Sequence, residues 1–190
     1  GCFGTSLTFP ADFLLPKPAH MSWEEAASLP NVLLTAYHAL LHLGRLEKDE
    51  RVLIHSATGG VGLAAVHLAQ RVGAEVFASA GSQRKREYLR ALGIAHVFDS
   101  RTLDFAQHVL DATGGEGVDL VLNSLSGAAV PRWLALLRSG GRFLELGKKD
   151  IYDDARLGLY LFKNNISYHA IDLGQLWKER PDLLRKQLRA

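Results

Sequence analysis

The chain has 190 residues, 47% of them apolar, and its 22 Lys and Arg side chains nearly balance 20 Asp and Glu, giving a formal net charge of +2. This composition suits one domain, or one domain with fragments of a neighbour, and it excludes a disordered chain and a surface-wide field for binding polyanions. The single cysteine, Cys2, can form neither an internal disulfide nor a multi-cysteine zinc site, which favours a reducing, cytoplasmic compartment.

The first forty residues predict a connector followed by two short helices. Residues 1–20 contain three prolines and are typical of a strand and connector without a domain of their own. The sequence Ser22-Trp-Glu-Glu25 is a capping box, in which the serine oxygen accepts from the fourth residue's N–H and Glu25 reaches back, so a helix starts there. Pro30 cannot donate to a helix and is expected to limit this one to about two turns. A second helix is expected over 33–43.

From residue 51 onward, short apolar strands alternate with helices of about ten residues, and glycines follow the helices. The predicted strands are 51–55, 75–79, 96–99, 118–122, 142–146 and 166–171. The predicted helices are 61–72, 84–92, 103–112, 127–138 and a charged amphipathic helix over 173–190. The alternation predicts an α/β fold, a doubly wound, Rossmann-like parallel sheet of about six strands with helices on both faces.

The turn between the first strand and its helix has the spacing of a dinucleotide-binding motif. Measured against G-x-G-x-x-G, Ala57 replaces the first glycine, while Gly59 and Gly62 occupy the second and third positions. Gly59 lets the backbone approach a pyrophosphate, Gly62 lets helix and strand pack closely, and the helix N-terminus offers N–H groups to the anion. The predicted cofactor contacts in this turn are Thr58, Gly59, Gly60, Val61 and Gly62. A merely structural turn is the alternative, since a tight turn also needs glycine.

The residues after the second strand indicate which nucleotide binds. NAD-binding units carry an acid about 20 residues after the glycine motif, where it binds the ribose hydroxyls. This chain has no acid between Glu75 and Glu87 and has instead the run Ala-Gly-Ser82-Gln-Arg-Lys85-Arg. Cations stabilise a 2′-phosphate, so this segment favours NADPH over NADH. A solvated, basic start of a helix is the alternative interpretation.

Four segments carry a family resemblance: LIHSATGGVGLAAVHLAQRVGAEVFAS, FDSRTLDF, TGGEGVDLVLNSLSG and GGRFLELGKKD. They resemble the enoyl reductase domains of modular polyketide synthases and animal-type fatty acid synthases, which are zinc-free members of the medium-chain dehydrogenase/reductase superfamily. The resemblance covers essentially all 190 residues. It implies the cofactor-binding half of such a domain, in which residues 1–20 are the tail of a truncated substrate domain, 21–175 the dinucleotide-binding domain, and 176–190 the start of the return to the substrate domain.

The resemblance also implies a reaction and partners. The reaction is hydride transfer from NADPH to the β-carbon of a 2-enoyl thioester on an acyl carrier protein, during polyketide or fatty acid synthesis. The implied partners are that thioester, the other domains of a parent synthase and a second copy of the chain, because nucleotide domains of this family pair edge to edge through their last strand. A quinone oxidoreductase-type NADPH reductase, or a non-catalytic nucleotide-binding or dimerisation module, are the alternative functions.

Residue by residue, the resemblance assigns Lys85 and Arg101 to the 2′-phosphate, and Thr35 and Asn123 to the nicotinamide end. Asn123 and Gly147 each follow a predicted strand at its carboxyl end, where the ligands of such sheets bind. Beyond the glycine turn, the predicted cofactor residues are therefore Thr35, Ser82, Lys85, Arg101, Asn123 and Gly147.

Lys148 and Asp172 match the family's proposed lysine–aspartate proton-donor pair. The reduction needs a positioned acid beside the developing enolate, and an ammonium group both stabilises that charge and supplies a proton. Lys149 leaves the register open by one residue. A surface lysine and a helix-capping aspartate are the alternative interpretations.

Other site types are set aside on the sequence. His38 and His42 have a metal-binding spacing, but no acid lies between them, so the segment is not an H-E-x-x-H motif and no metal site is expected. The basic cluster around Lys85 has no interleaved aromatic residues, so we expect no nucleic acid partner. The longest uncharged stretch, 26–44, contains proline, asparagine and histidines and is a poor membrane span.

Overall fold

The computed structural model describes residues 5–102, 104–127 and 130–189. Cys2, the predicted helix start at Leu103, part of the predicted helix 127–138 and Ala190 lie outside these ranges.

Six parallel strands form one sheet in the order β3-β2-β1-β4-β5-β6. The strands are β1 (Arg51–Ile54), β2 (Glu75–Ala80), β3 (His96–Asp99), β4 (Val118–Asn123), β5 (Leu137–Glu145) and β6 (Ser167–Ala170). The predicted doubly wound fold is confirmed. The strand order reverses between β1 and β4, and open sheets of this kind bind ligands beyond the carboxyl ends of the strands at that point.

Helices cover both faces of the sheet and enclose two core layers. The helices are α1 (Trp23–Tyr37), α2 (Gly60–Val72), α3 (Gln83–Ala91), α4 (Phe105–Ala112), α5 (Val130–Leu134), α6 (Lys149–Tyr152), α7 (Leu173–Glu179) and α8 (Pro181–Leu188). Ala65 of α2 and Leu89 of α3 belong to one layer, and Phe105 of α4 and Trp133 of α5 belong to the other. None of the described helices is long and apolar enough to cross a membrane.

Helix α1 continues through Pro30, so the prediction that it ends after two turns is wrong. It runs to Tyr37 and then into a π-helical turn over His38–Leu43. Pro30 is exposed, so water can reach the carbonyl that the missing N–H leaves without a partner. The following residues Ala36 and Leu40 are fully buried. Their burial outweighs one lost hydrogen bond, because tertiary packing supplies most of a helix's stability.

The predicted helix 127–138 and strand 142–146 are also corrected. The described helix α5 ends at Leu134, and β5 already begins at Leu137. Leu137 is buried and pairs with Val118 of β4, after which the register shifts at an irregularity. Gly140, one of the glycines that follow the predicted helix, lies inside this strand with a left-handed φ of 78°. Pairing with β4 thus overrides the helical pattern of the sequence.

The end of the chain forms two helices where one was predicted. Helix α7 ends at Glu179, and α8 begins with Pro181 as its first residue. Proline is favoured at that position and cannot continue a preceding helix. The short helix α6 and a 3-10 helix over Leu159–Asn164 were not predicted.

Candidate functional site

The β1–α2 turn brings Thr58, Gly59, Gly60, Val61 and Gly62 together at the carboxyl end of the first strand. Gly62 is the position where a side chain is excluded. A Cβ there would lie 2.4 Å from the carbonyl oxygen of Ser56 and 2.7 Å from the Cα of Ala57. Ala57 itself is fully buried, and its N–H donates to the carbonyl of Ser79 at 3.0 Å. The close helix–strand approach expected at the third glycine is therefore present.

The N-terminus of α2 is left open for an anion. Gly59 is the N-cap residue, and no side chain caps the first turn. A Cβ on Gly59 would meet only the Ser56 carbonyl oxygen, at 3.2 Å, so the space above the turn is accessible to a ligand. The free N–H groups and the positive end of the helix dipole make this turn a fitting cradle for a pyrophosphate.

Helix α1 packs against the same turn. A Cβ on Gly60 would lie 2.9 Å from a methyl carbon of Val32, so this helix leaves little room beside the glycine. Thr35 lies three residues beyond Val32, on the same helix face, and its hydroxyl donates to the carbonyl of Asn31 at 2.7 Å. Thr35 thus lies on the face of α1 that packs against this turn.

The β2–α3 connection gathers the residues predicted for the 2′-phosphate. Ser82 caps α3 by accepting from the N–H of Lys85 at 3.4 Å. The Lys85 side chain is exposed in the first turn of α3 and forms no ion pair with the residues the structure describes. Arg101 extends over Gly81, since a Cβ on that glycine would lie 3.2 Å from the arginine Nε. Ser82, Lys85 and Arg101 therefore surround one loop.

Asp99 is an acid near this loop that sequence reasoning missed. It ends β3, beside β2, and its carboxylate accepts from the backbone N–H of Arg101 at 2.9 Å. Its other oxygen pairs with Arg86 Nη1 at 2.8 Å. Ala80, at the end of β2, occupies the place where an NAD-binding unit has its acid. The loop thus keeps a net positive surplus, because Arg86 neutralises Asp99.

Asn123 and Gly147 both lie where they were predicted, at the carboxyl ends of β4 and β5. The Asn123 side chain is fully buried and donates to the Leu125 carbonyl and to Glu145 Oε2, each at 2.7 Å. The N–H of Gly147 donates to Glu145 Oε1 at 2.6 Å. A ligand over this edge would consequently meet backbone groups of these loops more readily than the Asn123 amide.

Glu145 is the second residue that sequence reasoning missed. Its side chain is only 2% exposed, and burial raises its pKa to about 7 in spite of the N–H groups that donate to it. The one available signal was an acid at the end of an otherwise apolar strand, in the segment FLELG.

Lys148 and Asp172 form an ion pair with 2.6 Å between Nζ and Oδ2. Asp172 follows β6, the neighbour of β5, and its other oxygen caps α7 by accepting from the N–H groups of Gly174 and Gln175. The hydrogen bond between them raises the pKa of Lys148 and lowers that of Asp172. Lys149 points elsewhere and lies 3.9 Å from Asp153. The register that matches the proposed pair is thus the one in which Lys148 contacts Asp172.

The described residues do not fit a zinc centre. No three His, Cys, Asp or Glu side chains among them are grouped as metal ligands. His38 and His42 stack on each other with ring centroids 5.2 Å apart. The buried His38 hydrogen-bonds Gln187 of α8 at 3.0 Å, and burial lowers its pKa.

The sequence of the chain is similar to that of dehydrogenases and of polyketide synthases. Residues 60–187 match the family described as zinc-binding dehydrogenase. A phenolphthiocerol/phthiocerol polyketide synthase of Mycobacterium tuberculosis is 50% identical over 188 residues, which are 99% of this chain and 9% of that protein. The phthioceranic/hydroxyphthioceranic acid synthase of the same organism is 46% identical over the same span, again 9% of its length. The chain thus spans less than a tenth of these relatives.

The chain is also similar to solved structures of enoyl reductases. The nucleotide-binding subdomain of the enoylreductase domain of PpsC from Mycobacterium tuberculosis is 50% identical, with a TM-score of 0.81 over 85% of this chain and 90% of that chain. The CurK enoyl reductase is 44% identical, with a TM-score of 0.86 over 96% of this chain and 54% of that chain. The chain belongs to the zinc-binding dehydrogenase family and, within it, to the nucleotide-binding subdomains of polyketide synthase enoyl reductases.

Proposed function

We propose that this chain binds NADPH and forms the cofactor-binding part of an enoyl reductase in a polyketide synthase. The observation that carries the proposal is the Lys148–Asp172 ion pair, which lies at the same edge of the sheet as the open N-terminus of α2. A proton donor and an anion cradle at one edge are what a nucleotide-dependent reduction requires. When bound, the nicotinamide supplies the hydride that reduces the β-carbon of a 2-enoyl thioester.

The preference for NADPH rests on the loop around Gly81. Lys85 and Arg101 supply positive charge there, and Ser82 offers a hydroxyl and an N–H group at the start of α3. The acid that would bind the ribose of NAD and repel a phosphate is replaced by Ala80. Charged hydrogen bonds from lysine and arginine would stabilise the 2′-phosphate, so NADPH should bind more tightly than NADH.

Lys148 is the proposed proton donor. As the β-carbon is reduced, the electron pair of the double bond moves toward the α-carbon and the thioester oxygen. The Lys148 ammonium stabilises this enolate charge and then transfers a proton to the α-carbon. Asp172 keeps Lys148 protonated, because their hydrogen bond raises the lysine pKa. Solvent returns the proton, since the Lys148 side chain is 54% exposed.

The domain boundaries and partners are part of the same proposal. Residues 21–175 form the nucleotide-binding domain, residues 1–20 are the tail of a substrate domain, and residues 176–190 are the start of the segment that returns to it. The enoyl group arrives on an acyl carrier protein, the other synthase domains are neighbours, and the compartment is the cytoplasm. A second copy would pair through β6, which lies at the edge of the sheet.

The test is an assay of the complete reductase that contains this chain. With NADPH, we expect turnover of a 2-enoyl thioester and little turnover of a quinone. Faster reduction of the quinone would replace the proposal with a quinone reductase. NADPH binding without turnover of either substrate would instead indicate a nucleotide-binding module.

A further inference from the structure

Glu145 ties together the two loops that follow β4 and β5. It is the last residue of β5, and one of its carboxylate oxygens accepts from the last residue of β4 while the other accepts from the loop after β5. Asn123 Nδ2 donates to Oε2 at 2.7 Å, and the N–H of Gly147 donates to Oε1 at 2.6 Å. Asn123 in turn binds both the carbonyl and the N–H of Leu125, at 2.7 and 3.2 Å. One carboxylate therefore fixes the start of both loops.

The same carboxylate explains why residue 147 is a glycine. A Cβ at this position would lie 2.7 Å from Glu145 Oε1 and 3.6 Å from the Leu125 carbonyl. The glycine therefore leaves the space that the carboxylate occupies. Lys148 follows directly, so the path of the backbone into the Lys148–Asp172 pair depends on this contact.

The described residues give Glu145 no cationic partner, although burying a carboxylate without one is costly. Asp150 of α6 acts on Glu145 electrostatically and disfavours its charged form, while the Tyr168 hydroxyl of β6 favours the charged form and lowers the Glu145 pKa. Lys148, three residues along, is engaged by Asp172. The charge of Glu145 is thus balanced by hydrogen-bond donors alone, and burial raises the pKa of Glu145 to about 7. The two groups that hold it most directly, Asn123 Nδ2 and Gly147 N–H, are donors, so adding a proton removes an acceptor that one of them uses.

We propose that Glu145, in its ionised form, is a positioning residue that holds the loops after β4 and β5 in the shape that receives the nicotinamide end of the cofactor and places Lys148. The proposal rests on the NADPH-binding function proposed above. It makes nucleotide affinity depend on the ionisation of a side chain that need not touch the nucleotide. Protonation of Glu145 loosens the two loops and weakens binding.

The experiment is a titration of the 190-residue chain with NADPH from about pH 5.5 to about pH 8.5, comparing the wild type with Glu145→Gln. We expect wild-type affinity to rise by about ten-fold through neutral pH, the effect of one charged hydrogen bond gained. The variant should bind weakly throughout and lack this rise. The 2′-phosphate also titrates near pH 6, but it does so with both proteins and cancels in their ratio.

Two further variants move the pH midpoint in opposite directions. Tyr168→Phe removes a hydroxyl that favours the ionised carboxylate, so the pKa of Glu145 and the midpoint should rise. Asp150→Asn removes a nearby negative charge while keeping an oxygen for the Gly127 N–H, so both should fall. A residue with a purely structural role would give no such opposed shifts.

The outcomes separate this inference from the function beneath it. If wild type binds NADPH and Glu145→Gln binds it with the same affinity and the same pH profile, the positioning role is overturned. If Glu145→Gln does not fold, unshifted midpoints in Tyr168→Phe and Asp150→Asn overturn it. If the wild type itself binds no NADPH, the proposed function fails and this inference fails with it.

Discussion

Asp172 uses one carboxylate oxygen to bind Lys148 Nζ at 2.6 Å and the other to cap helix α7. The two interpretations of this residue that the sequence left open, proton-donor partner and helix cap, are thus not exclusive. The cap fixes the carboxylate at the start of α7, and the carboxylate fixes the lysine. The N-terminus of α7, which follows the neighbouring strand β6, therefore sets the position of Lys148.

Replacing Lys148 tests its role as proton donor. In the complete reductase, Lys148→Ala should lower turnover while the affinity for NADPH stays within a few fold, because the proposed role of the side chain is to protonate the substrate. Lys149→Ala is the matched control, since Lys149 is the adjacent lysine and is 73% exposed. Steady-state kinetics and a nucleotide titration give both values. Unchanged turnover in Lys148→Ala would remove this residue from the mechanism.

Replacing Asp172 in two ways separates pairing from capping. Asparagine caps helices as well as aspartate does, so Asp172→Asn should keep the stability of α7 and lose the charge. Because the aspartate raises the Lys148 pKa, its neutralisation should move the basic limb of the pH–rate profile to lower pH. Asp172→Ala should in addition lower the free energy of unfolding by about 1 kcal/mol. A basic limb that stays in place in Asp172→Asn contradicts the pairing role.

The two motif glycines should fail in different ways. Gly62→Ala places a Cβ 2.4 Å from the Ser56 carbonyl oxygen and should lower the free energy of unfolding by roughly 3 kcal/mol. Gly59→Ala has its nearest contact at 3.2 Å and an ordinary φ of −74°, so the fold should persist. The added methyl group lies where a pyrophosphate would approach, so NADPH affinity should still fall. Denaturant unfolding and nucleotide titration of both variants check this, and equal losses of stability would argue against it.

Much of the fold was predictable because its determinants are local. Glycines after helices and apolar strand segments predicted all six strands to within a few residues, except at the start of β5. Pro30 and Leu137 were misinterpreted because burial and strand pairing, which depend on distant residues such as Val118, overrode the local signal. No local pattern contains that information.

The site was predictable to a different degree. The glycine turn follows from its spacing, and the contact between Lys148 and Asp172 agrees with the family resemblance. Glu145 was missed because its hydrogen-bond partner Asn123 lies on another strand, which only the sheet order brings to it. Asp99 was missed for the same reason, since β3 places it beside the end of β2.

The buried carboxyl of Glu145 should also make stability depend on pH. Its folded-state pKa of about 7 lies above the ordinary value of 4.5, so the folded chain binds this proton more tightly than the unfolded chain. The resulting stabilisation is present below about pH 4.5 and is lost as the pH rises through about 7, a change of about 3 kcal/mol. Urea unfolding of wild type and Glu145→Gln between these values measures it. The variant should lack this component, and parallel pH profiles would contradict the assignment.

Removing Lys85 should change nucleotide preference more than overall binding. Lys85→Ala should weaken the binding of NADPH by about 1.5 kcal/mol, roughly ten-fold. It should weaken the binding of NADH much less, because only NADPH carries the 2′-phosphate. The value lies at the lower end for a charged hydrogen bond, since the lysine is exposed. Arg90→Ala, which removes a cation from the last turn of the same helix, is the control. Equal weakening of both nucleotides would place the 2′-phosphate elsewhere.

The most direct measurement is the titration of the wild-type chain with NADPH and, separately, with NADH, by quenching of its tryptophan fluorescence or by calorimetry. Saturable binding of one NADPH per chain, at least about ten-fold tighter than NADH, is the result expected from a pyrophosphate on the α2 N-terminus and a 2′-phosphate beside Lys85 and Arg101. Equal affinity for the two nucleotides, or no binding of either, would contradict the account.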